Sequence, residues 1–320
     1  MAPAAREGDF MFNIVITPGT FRYLQLFTRS LVANSDARFR LVVNGCPPDE
    51  LVAMHALATA SAGRVEVVPL PSAAMVPHGA ALDEIYAARD DGAYFCFMDS
   101  DVKAKRPFMG EFLDLLGRFD AVTSGNVAWS DDAVLPAGAK DLVGRHAVGH
   151  DGFAYGSSYL AIYTRAAVER VREHWGVTFR AGAHGQLPAP AREQLVAMGR
   201  SFDLYDTAKA FNILFQADGG TLTHVDNLAL VHIGGISQYL SDPSVLGRGP
   251  SRGSSSPGDA ELPWFATSGA GRDRWDFAQW AAALLRSIVD GEPAPPLPQA
   301  PVARDRAIAV QRELLDLVGR

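Results

Sequence analysis

The sequence has little cysteine, no long apolar run and no excess of positive charge. Its two cysteines, Cys46 and Cys96, each lie in or beside an apolar run, so we expect buried packing residues rather than a disulfide. No stretch approaches the roughly 18 apolar residues that a membrane-spanning helix needs. The N-terminal residues MAPAAREGDF contain no apolar signal core, and no secretory signal is predicted. These absences predict a cytoplasmic protein without a membrane span.

The charge balance is acidic. Among 320 residues, 29 are basic and 36 acidic, which gives a formal net charge of -7. Because such a chain offers no overall positive field, we expect no nucleic-acid partner. The composition, 48% hydrophobic and 20% charged, is typical of a globular protein. Its length fits one large α/β domain with additions, or two modest domains.

Short strand-like runs alternate with helical patterns through the first hundred residues. Strands are predicted at 12–17, 39–43, 64–69 and 94–98. A helix is predicted in each interval between them, the third at 79–90. This alternation predicts a mostly parallel sheet covered by helices on both faces.

Patterns in the remainder of the chain are less regular. Helices are predicted at 107–118, 165–174, 206–217, 274–290 and 303–318, and strands at 120–124, 158–163, 222–225 and 228–233. Loop is predicted at 130–155 and 176–200, and a flexible Ser-, Gly- and Pro-rich segment at 241–262.

The stretch YFCFMDSDV, residues 94–102, joins an apolar strand to two carboxylates. Asp99, Ser100 and Asp101 follow the fourth predicted strand, at the edge of the sheet where open α/β proteins bind ligands. Two like charges so close together, partly removed from water, favour a neighbouring cation. Carboxylates suit Mg2+ or Mn2+. A helix cap or a solvated turn is the structural alternative.

Two enzyme classes place Asp-x-Asp after such a strand. Haloacid dehalogenase-like phosphatases continue the motif with Thr or Val two residues later and place it after the first strand. Here Lys103 holds that position, and the strand is the fourth. From about Asn13 to Tyr239 the order of motifs resembles a nucleotide-sugar glycosyltransferase of the GT-A type, with family-2-like features. The resemblance implies a GT-A-like, Rossmann-like α/β fold with a C-terminal helical extension.

The resemblance also implies how the chain is divided. Residues 1–126 would form a nucleotide-sugar-binding half, and 127–240 the acceptor-binding half of the same domain. The segment 241–262 would be a flexible loop or lid, and 263–320 a C-terminal helical extension.

Contacts to the donor and to the sugars are implied by three short stretches. By resemblance, the loop after the first strand nominates Thr17 and Pro18 for the donor nucleotide, although a Pro-Gly turn explains them equally well. The start of the third helix nominates His78 and Asp83 as further donor contacts. The N-terminus of a helix also suits an anionic donor. The loop before a later strand nominates four residues for the sugars: Tyr155, Gly156, Ser157 and Ser158.

A base and a third metal ligand come from the later motifs. Inverting enzymes of this group carry an acidic residue at the start of a helix, which nominates Asp206, with Asp203 as the fallback. An Asp that caps a helix explains Asp206 without catalysis. In the stretch LVHIGGISQYL, His232 resembles the C-terminal His ligand, and Gly234 and Gly235 a loop that closes on the diphosphate.

Together these motifs imply transfer of a sugar from a UDP- or GDP-type donor to a small-molecule, peptide or glycan acceptor. Mn2+ or Mg2+ would be held by Asp99, Asp101 and His232. Lys103, Lys105 and Arg106 could add positive charge, but we expect them to be solvated residues of a turn. A dehalogenase-type phosphatase, a nucleotidyltransferase and a non-catalytic carbohydrate-binding relative remain alternatives, and the oligomeric state is left open.

Overall fold

The structure is a computed structural model that describes residues 5–72, 74–124, 126–127, 147–148, 154–155, 159–241 and 269–319. The predicted lid at 241–262 lies outside the described residues beyond Ser241, as do the predicted sugar contacts Gly156, Ser157 and Ser158. None of the described helices is both long enough and apolar enough to span a bilayer.

Strands and helices alternate along the chain as the apolar pattern predicts. The strands are β1 Met11–Ile16, β2 Arg38–Val43, β3 Val65–Pro69, β4 Tyr94–Met98, β5 Val102–Ala104, β6 Ala121–Ser124, β7 Asn126–Val127, β8 Ala147–Val148, β9 Ala154–Tyr155, β10 Leu160–Thr164, β11 Gly182–Ala183, β12 Leu204–Tyr205, β13 Leu222–Val225 and β14 Leu230–His232. The helices are α1 Phe21–Ala33, α2 Pro48–Ala60, α3 His78–Ala88, α4 Met109–Leu116, α5 Arg165–Trp175, α6 Ala189–Ala197, α7 Lys209–Ala217, α8 Ser237–Leu240, α9 Gly269–Asp290 and α10 Pro301–Leu315. Short 3-10 turns lie at Glu7–Asp9 and His184–Gln186.

The main sheet contains seven of the described strands in the order β13-β6-β10-β4-β1-β2-β3. All of them run parallel except β10, which lies antiparallel between β4 and β6. Since β4 is central, its residues are apolar on both faces, and Phe95 to Met98 are almost fully buried. The predicted α/β fold, with a mostly parallel sheet, flanking helices and a C-terminal helical extension, is confirmed.

Each face of this sheet has its own core. One core joins Phe95, Phe97 and Tyr163 of the sheet to α3, α5 and α7. The opposite core packs Cys96 and Met98 against α1, α2 and α4. Alternate residues of β4 therefore pack into opposite cores, because successive side chains of a strand point to opposite faces of the sheet. Cys46 and Cys96 are free cysteines; Cys96 is buried, as expected, whereas Cys46 is only half-buried.

A second, three-stranded sheet has the order β5-β14-β7. Its middle strand, β14, runs antiparallel to β5 and parallel to β7. The C-terminal helices α9 and α10 pack on this sheet and on α1 through a third apolar cluster. That cluster confirms the amphipathic patterns predicted near the C-terminus.

The predicted loop at 130–155 contains the short strands β8 and β9, and two further predictions of local structure were also wrong. The zone 176–200 was predicted as loop but contains α6, whose residues Ala191 and Leu195, one turn apart, are buried. A proline in its first turn, which looks like a loop signal, is compatible with a helix start. Lys103 was predicted in a solvated turn but is 1% exposed on β5.

Candidate functional site

Asp99 and Asp101 lie at the carboxyl end of β4, where the chain leaves the main sheet for β5. The backbone N–H of Asp99 donates to the carbonyl of Tyr159 at 2.7 Å, which fixes the start of this turn against β10. Asp101 is 4% exposed, whereas the Asp99 side chain is 32% exposed. One carboxylate is therefore enclosed by protein and the other faces partly toward solvent.

His232 ends β14 and meets the two aspartates through strand pairing. In the register of β5 and β14, His232 lies opposite Val102, the residue after Asp101. The Nε2 atom of His232 is 3.1 Å from Oδ1 of Asp101 and 3.3 Å from Oδ2 of Asp99. The structure thus brings together the three residues that the sequence nominated as metal ligands.

The donor atoms of these three residues fit a divalent cation. One ligand atom from each of Asp99, Asp101 and His232 lies within 4.8 Å of the others. Both ring nitrogens of His232 are buried; Nε2 contacts the two carboxylates, whereas Nδ1 has no hydrogen-bond partner among the described residues. A buried polar atom without such a bond is costly. An imidazole and two carboxylates form a ligand set that Mn2+ or Mg2+ accepts.

The electrostatics of the cluster also favour a positive charge. Burial acts to lower the pKa of His232, but the carboxylates of Asp101 and Asp99 outweigh it and raise that pKa to about 9. Burial acts to raise the pKa of Asp101, but His232 and the backbone N–H groups of Gly234 and Ile236 leave it lowered. The cluster therefore stabilises a cation at this point, either a proton on the imidazole or a metal ion.

Gly234 and Gly235 lie in the loop after β14, separated from His232 by Ile233. Their φ angles are +86° and +76°, in the left-handed region that favours glycine. The N–H of Gly234 donates to Oδ2 of Asp101 at 3.0 Å. Within the described chain this turn therefore holds a candidate metal ligand, while its predicted contact with a diphosphate stays a prediction.

His78 and Asp206 approach the same cluster from other elements. Nε2 of His78, at the start of α3, is 3.8 Å from Oδ1 of Asp99. Asp206 is half-buried, and the burial of its carboxyl group together with the negative charge of Asp99 raises its pKa. The N–H of Thr207 and the charges of His78 and Lys209 act in the opposite direction. Asp206 thus interacts electrostatically with the candidate metal centre.

Asp206 does not cap the helix that follows it. The helix α7 begins at Lys209, and its N-cap is Ala208, which has a φ of +60°. Instead, Oδ1 of Asp206 accepts a hydrogen bond from the N–H of Thr207 at 2.7 Å. The helix-cap explanation of Asp206 was therefore wrong. A left-handed alanine is strained, and strain of this kind is frequent at functional sites.

Two residues of this region were not nominated from the sequence. The ring of Tyr159 stacks on His232 with centroids 4.2 Å apart and an interplanar angle of 19°. Lys209 is 1% exposed and interacts electrostatically with Asp206. Lys209 could have been noticed in the sequence, because it is a lysine within the apolar pattern AKAFNILF, three residues after the candidate base Asp206. Tyr159 had none, because its partner is distant in the chain.

The remaining nominated residues have structural contacts of their own. Thr17 and Pro18 follow β1 at the same edge of the sheet, and the carbonyl of Thr17 accepts a hydrogen bond from the hydroxyl of Thr20. Both oxygens of Asp83 are engaged internally, by Arg172, Arg180 and the N–H of Phe179. Asp203 is exposed, and its backbone carbonyl accepts a hydrogen bond from the N–H of His184. Tyr155 is the last residue of β9. Their predicted roles in binding and catalysis stay predictions.

No protein-family model matches the chain, and no curated protein matches it significantly. Among solved structures, TarS 1–349 of S. aureus is 13% identical, with 96% of this chain and 90% of that chain covered and a TM-score of 0.44. The galactosyltransferase LgtC, solved with donor and acceptor sugar analogues, is 16% identical, with coverages of 70% and 87% and a TM-score of 0.43. A nucleoside-diphosphate-sugar pyrophosphorylase from Vibrio cholerae is 12% identical, with coverages of 70% and 96% and a TM-score of 0.43.

Similarities of this size concern the course of the backbone, and the matched structures include proteins named for different reactions. They leave the function to be inferred from the residues of the site. Among the described residues, the architecture is an α/β fold with a mostly parallel sheet, and Asp99 and Asp101 follow its fourth strand in chain order.

Proposed function

We propose that this chain is a metal-dependent glycosyltransferase that moves a sugar from a nucleoside diphosphate sugar of the UDP or GDP type to a small-molecule, peptide or glycan acceptor. One observation carries the proposal: Asp99 and Asp101, in the turn between β4 and β5, and His232, at the end of β14, converge with their ligand atoms within 4.8 Å. The raised pKa of His232 supports it, because it reports a local demand for positive charge.

In this proposal Asp99, Asp101 and His232 hold Mn2+ or Mg2+. Asp101 and His232, both buried, would supply the rigid part of the ligand set, and the more exposed Asp99 would bind directly or through water. When bound, the ion supplies Lewis acidity toward the leaving diphosphate. The residues keep the ion at the carboxyl edge of the sheet, where a ligand can reach it.

Asp206 is the proposed base. Its raised pKa brings the carboxyl group closer to the range in which a base accepts a proton efficiently, while Lys209 and His78 favour its ionised form. In transfer with inversion, Asp206 would take the proton of the acceptor hydroxyl. In transfer with retention, it would instead position the acceptor. Asp203 is the alternative base, but its exposure disfavours it.

Donor and acceptor are proposed to lie on either side of the metal centre. Thr17, Pro18 and His78 would contact the donor, since all three lie at the edge of the sheet that carries Asp99. The glycine pair after His232 would adjoin the diphosphate. We propose that the acceptor and the donor sugar contact Tyr155 and the three residues that follow it.

Calorimetric titration tests this function directly. UDP, GDP and dTDP are titrated into the protein with and without Mn2+, and we expect one of them to bind only when the metal is present. Absence of metal-dependent binding for all three would overturn the proposal. Hydrolysis of a simple phosphate ester that Asp99→Asn abolishes would instead establish a dehalogenase-type phosphatase. Metal-independent sugar binding without transfer would indicate a carbohydrate-binding relative.

A further inference from the structure

The C-terminal extension packs directly against the strand that carries His232. Val231 and Ile233, the residues before and after His232, belong to the apolar cluster formed with α9 and α10. Other members of this cluster include Trp280, Leu284 and Leu314, each 5% exposed or less. The backbone on both sides of one candidate metal ligand is therefore packed against the extension.

The strand that follows Asp101 has little support from its own sheet. β5 has three residues, and among the described residues it pairs with β14 along one side only, so it is an edge strand of the described sheet. Its position therefore also depends on contacts with other elements. One of them is a hydrogen bond from the N–H of Ala104 to Oγ of Ser30 on α1, at 3.0 Å.

Lys103, in the centre of β5, makes another contact outside the sheet. Its Nζ donates to the backbone carbonyl of Glu313 at 2.6 Å and to Oε2 of Glu313 at 2.8 Å, so that β5 is tied to α10. The ammonium group is enclosed, since Lys103 is 1% exposed, whereas the Glu313 side chain is 26% exposed. A buried ion pair contributes little net stability, and its best-attested use is to fix one arrangement of elements.

Lys103 and Val231 are cross-strand partners in the register of β5 and β14. Lys103 contacts the extension by its ion pair, and Val231 contacts it by apolar packing. Lys103 is two residues after Asp101, and Val231 is directly before His232. A shift of α10 would therefore displace both strands at this pair, and with them the candidate ligands Asp101 and His232.

We propose that Lys103 is a positioning residue for the metal centre: its pairing with Glu313 makes the C-terminal helix hold Asp101 and His232 at ligand distance. This inference rests on the proposed metal site. It extends that site to Lys103 and to the C-terminal extension, neither of which supplies a proposed ligand. The C-terminal extension is then part of the catalytic apparatus, although it carries none of the proposed ligands.

The test measures Mn2+ binding to the full chain by electron paramagnetic resonance of the free ion, without nucleotide. Lys103→Met keeps the length and burial of the side chain but removes its charge, and we expect about tenfold weaker Mn2+ binding, as when a residue that supports a ligand is lost. Glu313→Gln should weaken binding less, because the backbone carbonyl of Glu313 still accepts from Lys103. The double variant should bind no more weakly than Lys103→Met.

Two controls separate positioning from general stability. Tyr23→Phe removes the hydrogen bond from Tyr23 to Asp290, which joins α1 to the same extension without touching β5. Leu57→Ala removes a buried side chain of α2 and should lower the melting temperature. Both controls should bind Mn2+ like the wild type below their melting temperatures.

The outcomes are distinct. Wild-type affinity in Lys103→Met, or equal losses in Leu57→Ala, would overturn the positioning role and leave the metal site standing. Failure of the wild-type protein to bind Mn2+ would overturn both the metal site and this inference. Weaker binding by Lys103→Met but by neither control, with non-additive effects of Glu313→Gln, would support it.

Discussion

The Nε2 atom of His232 lies 3.1 Å from Oδ1 of Asp101, although the two residues belong to motifs far apart in the chain. The contact depends on the antiparallel pairing of β5 with β14 and on the hydrogen bond from Gly234 to the same carboxylate. Asp101 and His232 were each nominated as metal ligands from a separate motif. The first predictions concern this pair.

Removal of either ligand should abolish metal binding. Asp101→Asn and His232→Ala each delete one of three ligands, and we expect more than about a 100-fold loss of Mn2+ affinity, because even supporting residues cost 10–100-fold. Calorimetric or resonance titration measures it. Asp114→Asn, an exposed carboxylate on α4, is the matched control and should bind normally. Unchanged binding in both ligand variants would contradict the assignment of the site.

Asp206→Asn should abolish transfer while it leaves donor binding intact. Loss of a general base costs about 10²–10⁴-fold in rate. Because the base acts as a carboxylate and its pKa is raised, wild-type kcat/KM should fall as the pH drops through that raised pKa, at a higher pH than for an ordinary carboxyl. Steady-state rates across pH, with a separate titration of nucleotide and Mn2+, measure both effects. Full activity of the variant would exclude Asp206 as base.

The same substitution should make the metal-free protein more stable at neutral pH. A carboxyl whose pKa is raised by folding binds more protons in the folded than in the unfolded state, so its ionisation lowers stability as the pH rises through that range. Asn removes this penalty and still accepts from Thr207. Thermal unfolding in chelator should show a higher melting temperature for Asp206→Asn at pH 7. The difference should vanish well below the unfolded pKa of about 3.9, and a destabilised variant at pH 7 would refute the argument.

Gly234→Ala should weaken both the fold and the metal site. A side chain at a φ of +86° costs about 1–2 kcal/mol, and the turn it distorts donates the N–H that holds Asp101. Gly110→Ala is the control, since Gly110 lies in α4 with open space around it and no positive φ. It should be neutral or stabilising. Chemical denaturation and Mn2+ titration of both variants test the contrast.

The aromatic ring of Tyr159 should tune the orientation of His232. The stack at 4.2 Å restrains the imidazole, so Tyr159→Leu should reduce Mn2+ affinity several-fold, while Tyr159→Phe, which keeps the ring, should retain most of it. Equal losses in the two variants would show that the hydroxyl, not the stack, is what matters. The two affinities are compared by the same titration.

Much of the fold could be predicted from sequence because the periods are strong. The run Tyr94 to Met98 is apolar throughout, as only a strand buried on both faces allows, and the sheet places it in the centre. The helices α1, α5 and α10 follow their apolar spacing closely. The antiparallel direction of β10 could not be predicted from its apolar pattern, because the direction depends on which strands flank it. The helix α6 was missed because its prolines and polar residues resemble loop.

The sequence by itself predicted most of the helices and strands of the main fold, the central strand and three candidate metal ligands, because the elements rest on local periodicity and the candidates on short motifs. Only the tertiary structure decided that His232 meets Asp101, that Tyr159 covers the imidazole and that Lys103 is buried against Glu313. Each of these depends on pairing between distant segments. A local pattern shows that a side chain is polar or charged, but the fold decides whether it faces water or another residue.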